Sequence, residues 1–222
     1  MTYSTENGNN SLFDPLAEQY DTWFDEEEGK LIFDIEVKAF QKTLPLLPQP
    51  WLEVGVGSGR FAQALGIETG IDPSARLLDI AEKRGIKVFS GRGEKLPFSD
   101  SSYGTVFLIV TLCFLNSPDA ALREAHRILK ADSKLVLGVV LRESPWGRFY
   151  QVKKEEGHRF YSHATLYSYQ EIESLLAGSG FRIEKVISTL FQQPGEVSET
   201  ENPEDGYSIN AGFTVITAGN VL

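Results

Sequence analysis

The sequence feature that most constrains the fold is a short apolar run that leads into three glycines at alternate positions. Residues 51–54 read Trp-Leu-Glu-Val, and Gly55, Gly57 and Gly59 follow, ahead of a stretch with helical spacing that ends at Gly66. Glycine adopts positive φ at little cost and lets the backbone pass close to a ligand. A helix that starts directly after such a turn presents unpaired N–H groups. The pattern predicts a strand, a tight turn and a helix that form one side of a binding site.

Short apolar runs alternate with helix-period segments through most of the 222 residues. This alternation is typical of a parallel sheet covered by helices. The last two apolar runs, 181–191 and 213–217, have no helical segment between them, so they are predicted to pair antiparallel. Ahead of the first strand, residues 11–44 are predicted to be helical and amphipathic. Their apolar face would carry Phe13, Leu16, Tyr20, Trp23 and Phe24.

The spacing of the glycines bears on which ligand the turn accepts. The dinucleotide fingerprint G-x-G-x-x-G requires glycine where this chain has Arg60, and the phosphate loop G-x-x-x-x-G-K-[ST] is absent. Glu53 would repel a pyrophosphate, but it can pair with an ammonium group, directly or through water. The turn is therefore predicted to accept a zwitterionic, cationic ligand. A dinucleotide site and a tight turn without a ligand are the alternatives.

Two further segments follow predicted strands and would lie beside the glycine turn. Asp72 ends the second predicted strand, and its two oxygens can accept both hydroxyls of a ribose. The alternative is that Asp72 only caps the next helix, which Ser74 can also do. The loop from Gly93 to Phe98 follows the third predicted strand, and its backbone could contact an adenine beyond the ribose. Taken alone, this loop would be an ordinary turn.

Composition and charge narrow the class of protein. Acidic residues outnumber basic residues by 31 to 21, and the net charge is −10, which disfavours nucleic acid as a partner. Cys113 is the only cysteine, so an internal disulfide is excluded and a reducing compartment is favoured. The chain has no run of about 18 apolar residues, and residues 1–10 lack the apolar segment of a signal peptide. We expect a soluble, cytoplasmic protein without a membrane span or a metal site.

Four segments in order resemble those of the class I S-adenosylmethionine-dependent methyltransferases, most closely the type-11, ubiquinone/menaquinone-methyltransferase-like family. They are residues 53–59, 72–74, 94–98 and 121–130, which read EVGVGSG, DPS, EKLPF and ALREAHRILK. The resemblance implies a Rossmann-like, three-layer α/β sandwich with an N-terminal helical cap. It implies a seven-stranded, mostly parallel sheet in the order 3-2-1-4-5-7-6, with strand seven antiparallel. It also implies S-adenosylmethionine as the cofactor and S-adenosylhomocysteine as its product.

The same resemblance implies how one domain, residues 1–222, is divided. Residues 1–48 would form the helical cap, 49–141 the cofactor-binding half, and 142–222 the acceptor-side helices and the last two strands. Glu53 and the glycine turn would hold the methionine part of the cofactor, and Val110 and Thr111 would contact its amino group. The Asp72–Pro73 segment would hold the ribose, and Gly93 and Glu94 would hold the adenine. Tyr20 would close over the cofactor. Arg92 stands where many relatives carry an aspartate for the adenine amino group, and it cannot accept that hydrogen bond.

The methyl acceptor is predicted to be a small molecule. Relatives bind their acceptors with the segment after strand five, where His158, Tyr161 and His163 are the candidate residues; a solvated helix or loop is the alternative. Methyl transfer needs a general base only when the acceptor is a poor nucleophile, so no catalytic residue is assigned. Two other functions remain open. One is a nicotinamide-dependent oxidoreductase, and the other is a non-catalytic S-adenosylmethionine-binding sensor or partner module.

Overall fold

A computed structural model describes residues 13–221, in which eight strands form one sheet. The strands are β1 Trp51–Val54, β2 Thr69–Asp72, β3 Lys87–Ser90, β4 Tyr103–Ile109, β5 Leu129–Val139, β6 Phe181–Thr189, β7 Glu204–Asp205 and β8 Phe213–Asn220. Their order is β3-β2-β1-β4-β5-β8-β6-β7. Strands β1 to β5 pair parallel, and β8 runs antiparallel between β5 and β6. The predicted Rossmann-like topology is confirmed, with β8 as the predicted strand seven.

The one difference in the sheet is the two-residue strand β7, which makes eight strands instead of seven. It lies in the long acidic connection after β6 and pairs antiparallel with Ile187 and Ser188. The Ser188 hydroxyl donates a hydrogen bond of 2.8 Å to the Gly206 carbonyl and accepts one of 3.0 Å from the Ser208 N–H. These contacts fix part of a segment that sequence patterning treats as a loop, because they depend on a partner strand distant in sequence.

Seven α-helices lie within residues 13–221. They are α1 Ala17–Trp23, α2 Glu27–Gln41, α3 Arg60–Leu65, α4 Ala75–Lys83, α5 Pro118–Ile128, α6 Pro145–Glu155 and α7 Tyr169–Gly178. Ser74 caps α4 by accepting a hydrogen bond from the Leu77 N–H, and Ser168 and Glu171 form the predicted capping box of α7. None of these helices is both long and apolar enough to cross a bilayer.

Side chains on the two faces of the sheet form two separate cores, which makes the three layers. Phe107 and Ile109 of β4 pack with residues of α2, α3 and α4 on one face. Val106 and Leu108 of the same strand pack with residues of α5 and α7 on the other. Because β4 is buried on both faces, its sequence is almost continuously apolar, as the prediction for a central strand requires.

Two regions differ from the sequence-based expectation. The stretch predicted as helical over residues 11–44 contains two α-helices separated at Glu26, whose backbone is extended, and residues 11 and 12 lie outside the described part. The break brings α2 back against α1, and a Cβ at Gly29 would collide with the Trp23 carbonyl oxygen. Helix α6 was not predicted. It begins at Ser144, whose hydroxyl accepts a hydrogen bond from the Gly147 N–H, and Trp146 anchors it in the core.

Candidate active site

A cavity of about 570 Å³ opens at the carboxyl ends of β1, β2, β4 and β5, beneath the N-terminal helices. This is the edge of a parallel sheet at which α/β proteins bind ligands, and the volume suits a small-molecule site. Nine of the eleven predicted cofactor residues line it. They are Tyr20, Gly55, Gly57, Asp72, Pro73, Gly93, Glu94, Val110 and Thr111.

The glycine turn after β1 forms the floor of this cavity. Gly55 and Gly57 adopt φ of 76° and 52°, in the left-handed region that favours glycine. A Cβ at Gly55 would collide with the side chain of Thr111, whereas a Cβ at Gly57 would lie 3.6 Å from the Tyr20 ring. The turn therefore needs glycine for its conformation and for the close approach of Thr111, and the Tyr20 ring lies over it.

Two predicted cofactor residues, Gly59 and Glu53, do not line the cavity. A Cβ at Gly59 would lie 3.0 Å from that of Ala81, so this glycine allows the start of α3 to pack on α4. Glu53 is only 2% exposed, and its carboxylate accepts a hydrogen bond from the Ala62 N–H in the first turn of α3. Its Oε2 has no partner among the described residues. Burial, then the charge of Asp72, raises the pKa of Glu53.

Asp72 occupies the position from which a carboxylate can reach both the glycine turn and the cavity. It is 7% exposed, and its oxygens accept hydrogen bonds from the Gly57 N–H at 3.0 Å and the Ser74 N–H at 2.8 Å. Burial raises its pKa despite these two bonds. Each carboxylate oxygen can accept a further hydrogen bond. Since Ser74 provides the side-chain cap of α4, Asp72 is available to a ligand.

The loop after β3 is held against the start of α5. The Glu94 Oε1 accepts hydrogen bonds from the Asn116 N–H at 3.0 Å and the Ser117 N–H at 3.4 Å. Arg92 lines the cavity and pairs with Lys95 through a single β-bridge. The cavity wall here therefore combines the backbone at Gly93 with one guanidinium group.

Helix α1 is fixed over the glycine turn by an ion-pair network around Asp21. Arg60 of α3 donates to Asp21 at 2.9 Å and Arg84, after α4, donates at 2.8 Å. Burial by itself would raise the Asp21 pKa, but hydrogen bonds from Arg60, Arg84 and Ser58 outweigh it and lower the pKa to about 2. Asp21 directly follows Tyr20, so the network holds that ring in place.

The three acceptor-side candidates, His158, Tyr161 and His163, all line the far end of the same cavity. His158 stacks on Tyr161 with ring centroids 4.6 Å apart, and Tyr161 stacks on Tyr150 of α6 at 4.1 Å. Burial raises the pKa of Tyr161 to about 12 and lowers the pKa of His158. His163 is exposed at the rim. The third histidine, His126, packs against Phe181 on the opposite face of the sheet.

Sequence reasoning missed Tyr150 and Glu36, which also line this end of the cavity. Tyr150 lies on the unpredicted helix α6. Glu36 lies on the apolar face of α2, one turn from Ile32 and one turn from Phe40, and is 7% exposed. An acid on the buried stripe of an amphipathic helix is a signal that the sequence contains, because such a position is normally apolar.

The residues present fit S-adenosylmethionine. Asp72 is a buried carboxylate beside a left-handed glycine turn, and it lines the cavity together with the Gly93 loop. A carboxylate can accept the hydroxyls of a ribose, and acidic side chains suit a cationic ligand better than a phosphate. The glycine turn follows β1, Asp72 ends β2 and the Gly93 loop follows β3, so only the assembled sheet brings these three parts together.

Comparisons with known proteins agree with this assignment. The family model described as "Methyltransferase domain", of type 11, matches residues 52–137. A crystal structure from Thermotoga maritima, described as a "SAM-dependent methyltransferase, possible histamine N-methyltransferase", is 38% identical, with a TM-score of 0.87 over 94% of this chain and 98% of that one.

Two sequence relatives extend the comparison. An uncharacterized protein of Mycobacterium tuberculosis is 40% identical over 91% of this chain and 71% of its own length. The demethylmenaquinone methyltransferase of Thermotoga maritima is 32% identical over 57% of this chain and 58% of its own length. The Thermotoga maritima crystal structure is 38% identical over nearly the full length of both chains, and this similarity shows the family of the protein. The protein belongs to the class I S-adenosylmethionine-dependent methyltransferases, in the type-11 family.

Proposed function

We propose that the protein transfers the methyl group of S-adenosylmethionine to a small-molecule acceptor bound in the far half of its cavity. The observation that carries this proposal is the continuity of the site. One cavity of about 570 Å³ runs from the glycine turn and Asp72 to the aromatic residues of α6 and the segment after it. Two ligands that share a cavity can be brought together with little further ordering, which is the main requirement of a displacement at carbon.

The roles of the chain's residues in this proposal follow from their positions. Bound S-adenosylmethionine supplies an already activated methyl group. The glycine turn, Asp72 and the Gly93 loop would hold the cofactor, while Glu53 would support the turn from below. Tyr20 would cover the site, held by the Asp21 network. We further propose that residues 1–48 act as the cap, 49–141 as the cofactor half and 142–222 as the acceptor side.

A covered, acidic cavity favours small acceptors over nucleic acids. The net charge is −10, and Glu26, Glu36, Asp72 and Glu94 line the cavity together with the guanidinium of Arg92. A phosphate backbone would be repelled by such a surface. Two relatives named above point to different acceptors, since one is described as a possible histamine N-methyltransferase and the other as a demethylmenaquinone methyltransferase. Because histamine and demethylmenaquinone are both small organic molecules, the two relatives support a small organic acceptor.

The test is a transfer assay with S-adenosylmethionine labelled in its methyl group. The purified protein is incubated with panels of amines, phenols, quinols, thiols and carboxylates, and separately with duplex DNA and RNA. We expect label in a low-molecular-weight product and none in nucleic acid. Gly55→Ala is the inactive control, because the added methyl group collides with Thr111, and Gly66→Ala is its matched partner, with open space around its Cβ. Labelling of nucleic acid alone would contradict the proposal.

A further inference from the structure

Glu36 is a buried carboxylate for which the protein itself provides no partner. It lies on the inner face of α2, is 7% exposed, and lines the cavity. No ion pair or hydrogen bond to it is formed by any other residue within 13–221, and burial is the only influence on its ionisation. An unpaired buried carboxylate destabilises a fold, whereas a ligand that carries the opposite charge would offset that cost.

The surroundings of Glu36 are aromatic. The cavity is lined by the rings of Tyr20, Trp23, Phe24, Tyr150, Phe160 and Tyr161, and the charge of Glu36 acts on the three tyrosine hydroxyls. Aromatic faces attract cations, and most strongly where water is excluded. The guanidinium of Arg92 lies at the other end, beside the Gly93 loop. A carboxylate within a box of rings is the arrangement that selects an ammonium group over an alcohol or an acid.

We propose that the methyl acceptor is a primary or secondary amine, which enters as an ammonium ion and is held by Glu36 within this box of aromatic side chains. The inference rests on the proposed function, and it names the substrate class of the same site. It also gives Glu36 a catalytic role, because an ammonium nitrogen has no electron pair with which to attack.

The proton balance of the reaction assigns that role. Glu36 takes one proton from the ammonium ion, which frees the nitrogen lone pair. The new N–C bond forms to the methyl carbon, the C–S bond breaks, and the sulfur keeps the electron pair. The methylated ammonium product leaves, and Glu36 releases the proton to water. Burial raises the pKa of Glu36 to about 8, so the carboxylate is a stronger base than an exposed glutamate.

The pH dependence follows from the groups that surround Glu36. Burial raises the pKa of each of the three facing hydroxyls, Tyr20 of α1, Tyr150 of α6 and Tyr161, and the charge of Glu36 raises them further. These hydroxyls therefore stay neutral near pH 8, and Glu36 is the group that ionises there. His158, on the far side of Tyr161, has its pKa lowered by burial and by Lys153 and Arg159, so it is uncharged in this range. Amine binding should strengthen from pH 6 towards pH 8 as Glu36 ionises.

The experiment measures binding and turnover separately. Calorimetry in the presence of S-adenosylhomocysteine compares 2-phenylethylamine and tryptamine with their neutral alcohols, 2-phenylethanol and tryptophol. We expect the wild-type protein to prefer the amines by about tenfold or more at pH 8, as a charge-assisted hydrogen bond provides. Release of S-adenosylhomocysteine from S-adenosylmethionine should be seen with the amines and not with the alcohols.

Two variants of α2 provide the matched comparison. Glu36→Gln should abolish the preference for amines and its pH dependence while leaving the affinity for S-adenosylhomocysteine unchanged. Asp34→Asn removes an exposed acid of the same helix and should change neither. Equal affinity for S-adenosylhomocysteine in wild type and Glu36→Gln also shows that the variant is folded.

The outcomes separate this inference from the proposed function. The inference is overturned if none of the amines binds, if the preference survives in Glu36→Gln, or if that variant loses affinity for S-adenosylhomocysteine, which would place Glu36 at the cofactor. Turnover of phenols or thiols without any turnover of amines would overturn it while leaving small-molecule methylation intact. Failure of the wild-type protein to bind S-adenosylhomocysteine at all would end both.

Discussion

The Asp21→Asn substitution tests the ion-pair network that fixes the cap over the glycine turn. The Asp21 side chain is 15% exposed and accepts hydrogen bonds from two guanidinium groups that are themselves mostly buried, Arg60 and Arg84. Lowering the pKa from 3.8 to about 2 corresponds to about 2.4 kcal/mol in favour of the ionised native state. Solvent screening around the partly exposed network reduces this to about 1–2 kcal/mol.

We therefore expect Asp21→Asn to lower the free energy of unfolding at pH 7 by about 1–2 kcal/mol, measured by urea unfolding. The midpoint of thermal unfolding should fall by about 2–8 °C for a chain of this size. Asp25→Asn is the matched control, because it removes the exposed partner of the same Arg60, and its effect should be smaller.

The pH dependence of this difference has a definite sign. A carboxyl group with a lowered native pKa stabilises the fold fully above its unfolded pKa, and that stabilisation is lost as the pH falls through the native value. With values of 3.8 and about 2, the difference between wild type and Asp21→Asn should shrink to about half at pH 3. An unchanged unfolding free energy at pH 7, or a difference that stays constant down to pH 3, would refute the reasoning.

Substitutions at Gly55, Tyr20 and His163, with matched controls for the first two, test the rest of the site. Gly66→Ala should lower the free energy of unfolding by about 1–2 kcal/mol, because the φ of Gly66 is positive. Gly55→Ala should lower it by about 1–3 kcal/mol more and abolish binding of S-adenosylhomocysteine, because the added Cβ also collides with Thr111. Equal losses of the two variants in urea unfolding would contradict this. Tyr20→Ala should weaken S-adenosylhomocysteine about tenfold in calorimetry, whereas Tyr20→Phe, which keeps the ring over the turn, should stay within about threefold. His163→Ala should lower kcat on a genuine acceptor and leave cofactor affinity unchanged; unchanged turnover would remove His163 from the mechanism.

Local signals in the sequence predicted most of the fold and the conformation of the glycine turn. Positive φ at Gly55 and Gly57, the Ser74 cap and the Ser168 capping box are each set by a few consecutive residues. The near-continuous apolar character of β4 reflects burial on both of its faces. Such features depend on neighbours in the sequence, so pattern and spacing are sufficient to predict them.

The acceptor end depends on contacts between distant residues, and the sequence predicted it only in part. Helix α6 tolerates Pro145 at its first position, but Gly147 in the same turn locally disfavours a helix. It forms because Trp146 is buried and its Nε1 donates a hydrogen bond of 2.8 Å to the Gln192 carbonyl. The buried position of Glu36 likewise follows from the docking of α2 on the sheet, which places a polar residue on an otherwise apolar face.

Glu53 and Gly59 show why motif spacing alone does not assign contacts. Both belong to the glycine-rich segment, and the sequence offers no means of separating a glycine that approaches a ligand from one that approaches a helix. In the structure, Gly59 makes room for Ala81 of α4 and the Glu53 carboxylate points to the Ala62 N–H. Their contribution to the site is to shape the turn whose other residues line the cavity.

Calorimetric titration of S-adenosylhomocysteine into wild type, Asp72→Asn and Asp79→Asn tests whether Asp72 holds the cofactor. Asp79 is an exposed acid on α4, so its substitution controls for loss of one negative charge. We expect one molecule bound per wild-type chain and the same affinity in Asp79→Asn. The affinity of Asp72→Asn should be about tenfold or more weaker, since the charged acceptor is replaced by an amide. Equal affinity in all three proteins, or no heat with the folded wild type, would contradict it.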